Sequence, residues 1–404
     1  MGESEGEPGV GDGRLHVAVV TPSFGTGWGE RADAVRLVAG ALALTADVTI
    51  VSLDDRSNPA TRPPEIREDG IFPVHSVGAS PSRPRLVDVL DTALSYPAVG
   101  ASARSAVLPE LASRRLLAID AQPSPEAVRV LDQLAPDVVL LAGVETLWLP
   151  EALPLGPARP RVVLLPLLGD DARLESPALA QLASSTDAVG ALSHAEARRL
   201  GPSVGSPDPG KVQQIRLSFP VNRQAAHSGL AGMASFGRYL LVISGWPPGD
   251  RAPGHGPAHD YLRAAVGEVS IVEVRHGRWL VSQTGRHHEF PWVPSRMNLW
   301  RLMAGAVATL DVRRQGPVGR ETLESLLFGT PVIVPAGSVA AEHAELSNGG
   351  LWWRAPGEML DEVGFFLDRA EERDRFAESG RAWAEREHGD TERAVDEVLR
   401  LVLG

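Results

Sequence analysis

The residues of this chain best spaced to do chemistry lie near position 320. Gly319 and Arg320, preceded by Val318, open a stretch of helical composition that runs to about Phe328. Backbone N–H groups at such a helix start lack partners of their own, and with the positive end of the helix dipole they suit a phosphate or another anion. Glu321 and Glu324 stand one turn apart on one helix face, and an ionised carboxylate offers two acceptor oxygens to the hydroxyls of a ligand. The alternative is a pair of solvated glutamates on a helix surface. A second candidate is the loop Gly25-Thr26-Gly27, continued by Gly29, between an apolar run and a helical stretch. Its glycines would let a ligand approach the backbone closely, or simply allow a tight turn. Asp170 and Asp171 follow another apolar run and could bind hydroxyls or cap the next helix. Two histidine-acid clusters remain, His255, His259 and Asp260, and His287, His288 and Glu289. The first lies among prolines and the second has no evident third ligand, so both read as polar loop residues and no metal site is expected.

The elements that must hold these residues are legible from apolar runs. A chain of 404 residues exceeds one comfortable core and is expected to divide into two domains of about 150 to 200 residues each. Buried-strand runs occur at 15–21, 47–53, 137–143, 161–168, 187–192 and 211–217, separated by segments of helical length, the pattern of a parallel-sheet domain. A second series occupies 239–244, 269–274, 307–312 and 331–334. The expected organisation is therefore a disordered tail at 1–13, a Rossmann-like domain at 14–222, a linker at 223–237, a second Rossmann-like domain at 238–385 and a terminal helix at 386–404 that packs back on the first domain. Residues 358–403 are nearly all helix formers, with breaks expected near Gly380 and Gly389. Trp352 and Trp353 follow an apolar strand and read as core. The fold class expected is α/β, two parallel sheets facing across a cleft, with the ligand at the carboxyl ends of the strands.

Composition removes several functions. There is no cysteine, so disulfides, thiolate metal sites and cysteine nucleophiles are excluded. Of the 39 basic residues only Lys211 is a lysine, which leaves almost no place for a Schiff base. A net charge of -12 with no basic-aromatic cluster argues against nucleic acid. No apolar run reaches the roughly 18 residues of a membrane span, and no signal-like leader is evident, so a cytoplasmic protein is expected.

The stretch 316–353, GPVGRETLESLLFGTPVIVPAGSVAAEHAELSNGGLWW, resembles the C-terminal half of family-4 glycosyltransferases of the GT-B fold. Glu324, then Gly329-Thr330-Pro331-Val332, then Ser347-Asn348-Gly349-Gly350-Leu351 fall in that family's order, and 17–42 is similar to its first strand, glycine loop and helix. The resemblance implies a retaining, metal-independent transfer of a hexose from a nucleotide diphosphate sugar to an acceptor, with no other cofactor. It assigns Glu324 to the ribose hydroxyls, with Val318, Gly319, Arg320 and Glu321 beside it. It places Gly25, Thr26, Gly27, Asp170 and Asp171 on the acceptor side, and His343 at a position facing the cleft.

The chain departs from that family at charged positions. A second glutamate is expected eight residues before Glu324, where Gly316 stands. Across 243–250 the places of a diphosphate-binding arginine and lysine hold Gly245 and Asp250, and Arg251 is the nearest cation. A family histidine is replaced near Leu168 and Gly169. A unit charge about 4 Å from a phosphate oxygen contributes roughly 4 kcal/mol at an effective dielectric of 20, so losing two cations would weaken donor binding and leaving-group stabilisation. Arg251, Arg313 or Arg314 could restore them. Two functional readings follow: a hexosyltransferase, or an inactive relative that binds or scaffolds an active one. A carbohydrate-phosphate epimerase is less supported, since it needs the same cations.

Overall fold

Apolar runs without polar alternation form strands buried on both faces, and in the computed structural model of the chain they assemble into two sheets. The structure describes residues 14–22, 24, 30–53, 72–77, 124–146, 149–153, 159–168, 179, 183–203, 211–228, 236–244, 262, 266–267, 269–275, 282–284, 286–291, 296–313 and 316–404. The first sheet comprises β1 (Leu15–Thr21), β2 (Ala46–Ser52), β3 (Val74–Ser76), β4 (Val138–Ala142), β5 (Arg161–Leu165), β6 (Ala188–Ala191) and β7 (Val212–Gln214). Its order is β3-β2-β1-β4-β5-β6-β7, and every pairing is parallel. The second comprises β8 (Tyr239–Ser244), β9 (Ser270–Arg275), β10 (Ser282–Thr284), β11 (His287–Pro291), β12 (Thr309–Asp311), β13 (Val332–Pro335) and β14 (Gly350–Trp353). Its order is β10-β11-β9-β8-β12-β13-β14, with β10 antiparallel to β11 and the other pairings parallel.

The helices are α1 (Glu30–Leu42), α2 (Pro125–Leu134), α3 (Leu149–Ala152), α4 (His194–Ser203), α5 (Arg223–Ser228), α6 (Arg296–Gly305), α7 (Arg320–Leu327), α8 (Val339–Ser347), α9 (Pro356–Asp368), α10 (Ala370–His388) and α11 (Thr391–Leu403). The last of them lies on the first sheet's side, against α1, β5 and β6. One contiguous apolar cluster joins Val17, Val38, Leu140 and Leu165 of the first sheet and its helices to Leu323, Leu326, Ala344, Ala384, Val398 and Leu401. The two sheets are thereby braced by shared core rather than by a linker alone.

Among the parallel strands of each sheet the order reverses once, between β1 and β4 in the first and between β8 and β12 in the second. The crevice outside the carboxyl ends at such a reversal is where open α/β sheets take ligands. In the second sheet those ends are Ser244 and Asp311, and α7 follows directly after β12.

Three expectations are corrected here. The helix α10 runs unbroken through Gly380, and the breaks fall at Arg369 (φ -111°) and Gly389. Gly380 serves packing: a Cβ there would sit 2.7 Å from Leu326 Cδ2 and 2.8 Å from Gly349 Cα. Trp353 is core, but Trp352 is 37% exposed, with the Arg354 guanidinium 4.5 Å over its ring. His287 belongs to a strand rather than a loop and is buried, its Nε2 2.9 Å from Glu273 Oε2. No helix of the described residues is long and apolar enough to cross a membrane.

Candidate functional site

Helix α7 starts from Gly319 at φ 62°, ψ 41°, with no side-chain cap on its first amides. That left-handed conformation favours glycine, and space demands it as well, since a Cβ would meet His343 Cδ2 at 3.1 Å and Ala340 backbone atoms at 3.4 Å. His343, on α8, is 4% exposed and donates Nε2–H to the Val318 carbonyl at 2.8 Å. Burial, the dominant cause, pushes its pKa down to about 4 against the opposing effect of that bond. The ring is therefore neutral, with its proton on Nε2, and it fixes the turn that leads into α7.

Glu321 and Glu324 are 2% and 0% exposed, so they are not solvated surface residues. Each is held by arginine. Arg296, at the start of α6, donates Nη1–H to Glu321 Oε1 at 3.0 Å and Nε–H to Glu324 Oε1 at 2.9 Å. Arg313 donates to Glu321 Oε2 at 2.8 Å and to Asp311 Oδ1 at 2.8 Å. Arg320 donates Nε–H to Glu324 Oε1 at 2.9 Å, and its Nη1 lies 2.9 Å from Asp33 Oδ2 on α1 of the first domain. Arg320 also lies 5.6 Å over the Phe219 ring. Arg36 closes the series on Asp33 at 3.3 Å.

Acid and base alternate along the whole run from Asp311 through Arg313, Glu321, Arg296, Glu324, Arg320 and Asp33 to Arg36, which leaves it neutral. Burial alone would lower the Arg296 pKa, but the Glu324, Glu321 and Asp33 carboxylates raise it above its ordinary value. One acceptor is left over. Glu324 Oε2 is 2.9 Å from Arg296 Nη2, yet it receives no directed hydrogen bond and is buried.

Across the cleft, Ser193 and Glu196 form a capping arrangement at α4, Ser193 Oγ accepting from Glu196 N at 3.0 Å. The Glu196 carboxylate accepts from Leu192 N at 2.8 Å and Leu168 N at 3.0 Å. The first two amides of α4, His194 N and Ala195 N, each donate at 2.7 Å to the carboxylate of Glu342 on α8. A side chain of the second domain thus fills the anion seat at a helix start in the first.

The structure brings Val318, Gly319, Arg320, Glu321, Glu324 and Arg313 together, and adds Arg296, Asp311 and Asp33, which sequence spacing did not reveal. Arg313 does not project as an unattached cation; it is engaged by Asp311 and Glu321. Gly25, Thr26, Gly27, Asp170, Asp171, Gly245 and Arg251 lie outside the described residues, as do Asp250, His255, His259, Asp260 and Arg314.

With two parallel sheets facing each other and the site at the second switch point, solved structures supply the comparison. The Anabaena protein HepE, solved with UDP and glucose, is 14% identical with a TM-score of 0.64, over 96% of this chain and 99% of that one. The sucrose-phosphate synthase of Thermosynechococcus elongatus is 14% identical at 0.65, over 96% and 98%. The lipopolysaccharide-biosynthesis glycosyltransferase WaaG is 13% identical at 0.61, over 96% and 100%. The fold is GT-B. No family model and no curated protein matches the sequence, so the likeness is one of architecture. Within the GT-B frame, α7 and its carboxylates stand at the carboxyl end of the second sheet, facing the first domain through the Arg320 to Asp33 bridge.

Proposed function

We propose that this chain is a glycosyltransferase-type GT-B protein that binds a nucleotide diphosphate sugar at the start of α7 and passes its hexose to an acceptor held by the first domain. One observation carries the reading: Glu324 Oε2 is a buried carboxylate oxygen at the second switch point with no hydrogen bond directed to it. A ribose hydroxyl would supply that bond, and the positive end of the α7 dipole, where no side chain caps the helix, suits the diphosphate. Arg296 and Arg320 orient the carboxylate. As the diphosphate departs its charge grows, and stabilising it requires Arg313 or Arg320 to exchange a carboxylate for a phosphate oxygen, or requires Arg251. Gly25, Thr26 and Gly27 follow β1 in sequence, and Asp170 and Asp171 follow β5, which assigns them to the acceptor side. Retention, independence of metal and the family-4 relationship rest on the sequence resemblance.

A second reading, nucleotide-sugar binding without turnover, as the partner of an active transferase, is favoured by a different observation. Arg296, Arg313 and Arg320 are already matched by carboxylates, so the described site is neutral before any ligand arrives. Calorimetric titration with UDP, GDP and their hexose conjugates, beside the Glu324→Ala variant, tests the shared premise. Micromolar binding lost in the variant supports the site. NMR detection of slow donor hydrolysis then favours transfer, and binding with no hydrolysis favours the second reading. No binding by any nucleotide overturns both.

A further inference from the structure

A cavity of about 220 Å³ lies between the domains and apart from the α7 carboxylates. Ser193, His194, Gln214 and Arg216 line it from the first domain, and His343, Trp383 and His388 from α8 and α10. Its volume is below the range of about 300 to 1,000 Å³ typical of drug-sized ligands, which confines an occupant to roughly monosaccharide size.

The chemistry of the lining is set by two imidazoles whose tautomers the backbone fixes. His343 spends its Nε2–H on the Val318 carbonyl, so Nδ1 carries a lone pair; that atom is buried and has no hydrogen-bond partner. His388, 6% exposed, has Nδ1 2.9 Å from the Leu217 carbonyl. Only a donating Nδ1–H makes that contact favourable, so its Nε2 is the acceptor. The rings stand 5.7 Å apart, with Trp383 5.7 Å from His343 and 5.4 Å from His388. Two acceptors beside an indole call for hydroxyl donors on a compact ring.

Charge selects against ions. The cation on the wall, Arg216, is tied to Glu397 at 2.9 Å and to Glu387 at 3.2 Å. The Glu342 carboxylate is consumed by the α4 amides. His194 Nδ1 is 3.1 Å from Gln214 Nε2. An anion would find no uncommitted charge among these groups, and neither would a cation.

We propose that this interdomain cavity binds a neutral polyhydroxylated ligand of monosaccharide size, whose hydroxyls donate to His343 Nδ1 and His388 Nε2 while its ring lies against Trp383. A buried acceptor left unpaired is destabilising, and the ligand hydroxyl relieves it. Because His343 also holds the carbonyl preceding Gly319, occupancy bears on the turn into α7. The proposal does not depend on the nucleotide reading, since no group of the Glu321 and Glu324 network lines the cavity.

The test uses the full chain labelled with ¹⁵N, with imidazole nitrogens followed by long-range correlation spectra at neutral pH. Methyl α-glucopyranoside, myo-inositol and inorganic phosphate are the probes. Saturable shifts of His388 Nε2 and His343 Nδ1 with at least one polyol, and none with phosphate, are expected. His388→Asn keeps an N–H for the Leu217 carbonyl and removes the acceptor at the Nε2 position, which the shorter amide does not reach; it should weaken polyol binding at least tenfold while the unfolding midpoint holds. Trp383→Leu should do the same through the other wall. Unmoved imidazole signals with both polyols, shifts caused by phosphate alone, or full polyol affinity in a folded His388→Asn variant would each overturn the proposal.

Discussion

At the scale of single residues, Arg296 is the cation that bridges both buried α7 carboxylates. Glu321 and Glu324 are one turn apart with almost no exposure, and two adjacent carboxylates without a cation between them would repel in a medium of low dielectric. Removing one partner of a buried pair costs about 3 to 5 kcal/mol, because it strands the other charge. Arg313 and Arg320 still contact the two glutamates in an Arg296→Met variant, which places the expected loss at the lower end, about 3 kcal/mol by urea unfolding. A loss below about 1 kcal/mol would mean that water reaches the network and that Glu324 is not the desolvated acceptor described above. Glu321 and Glu324 were legible because their spacing puts them on one helix face. Arg296 was not, since an ion pair across 25 or 28 residues leaves no local pattern. The Arg320 to Asp33 bridge joins two domains and is invisible for the same reason.

At the scale of elements, two contacts between helices settle how α4, α7, α8 and α10 meet. The first is the Glu342 carboxylate on the α4 amides. Loss of a capping group costs about 0.5 to 2 kcal/mol, and Glu342→Ala should show that loss together with faster hydrogen exchange at His194 and Ala195. Unchanged exchange would mean that solvent already competes for those amides. The second is the approach of Gly380 to Gly349. Alanine gains about 1 kcal/mol over glycine in helix propensity, but a Cβ at 2.8 Å from backbone forces movement costing about 1 to 3 kcal/mol, and the backbone cannot yield as a side chain can. Gly380→Ala is therefore expected to lower the unfolding midpoint; a rise would show that α10 shifts freely. Reading Gly380 as a helix break failed because propensity is a local quantity and this glycine is set by a partner 31 positions away in sequence. Each of the ten runs read as a buried strand contains one, whereas β3, β10, β11 and β14 went unread: β3 and β10 span three residues each, and β11 carries His287 inward only because Glu273 of the neighbouring strand receives it.

At the scale of the whole molecule, the interdomain cavity couples folding to pH. Burial is the main cause that lowers His343 and His388 to about 4 from an ordinary 6.5. Between those values the unfolded chain takes up protons that the native chain refuses, so stability is fully present above about pH 6.5 and declines as pH falls toward 4. Each ring contributes up to roughly 3 kcal/mol across that window. The charged neighbours pull in both directions: Glu387 raises His388, while Arg216 and the partner ring lower it, and His194 lowers His343. Carboxylates elsewhere titrate near the acid end, so the informative quantity is a difference. Urea midpoints measured from pH 7 to 4.5 should fall more steeply for the natural chain than for His388→Asn, which has no imidazole at that position to protonate. Parallel curves would show that His388 ionises normally in the native state. The cavity would then be open enough to water for a cation to form in it, and the tautomer argument for its acceptor would fail with it.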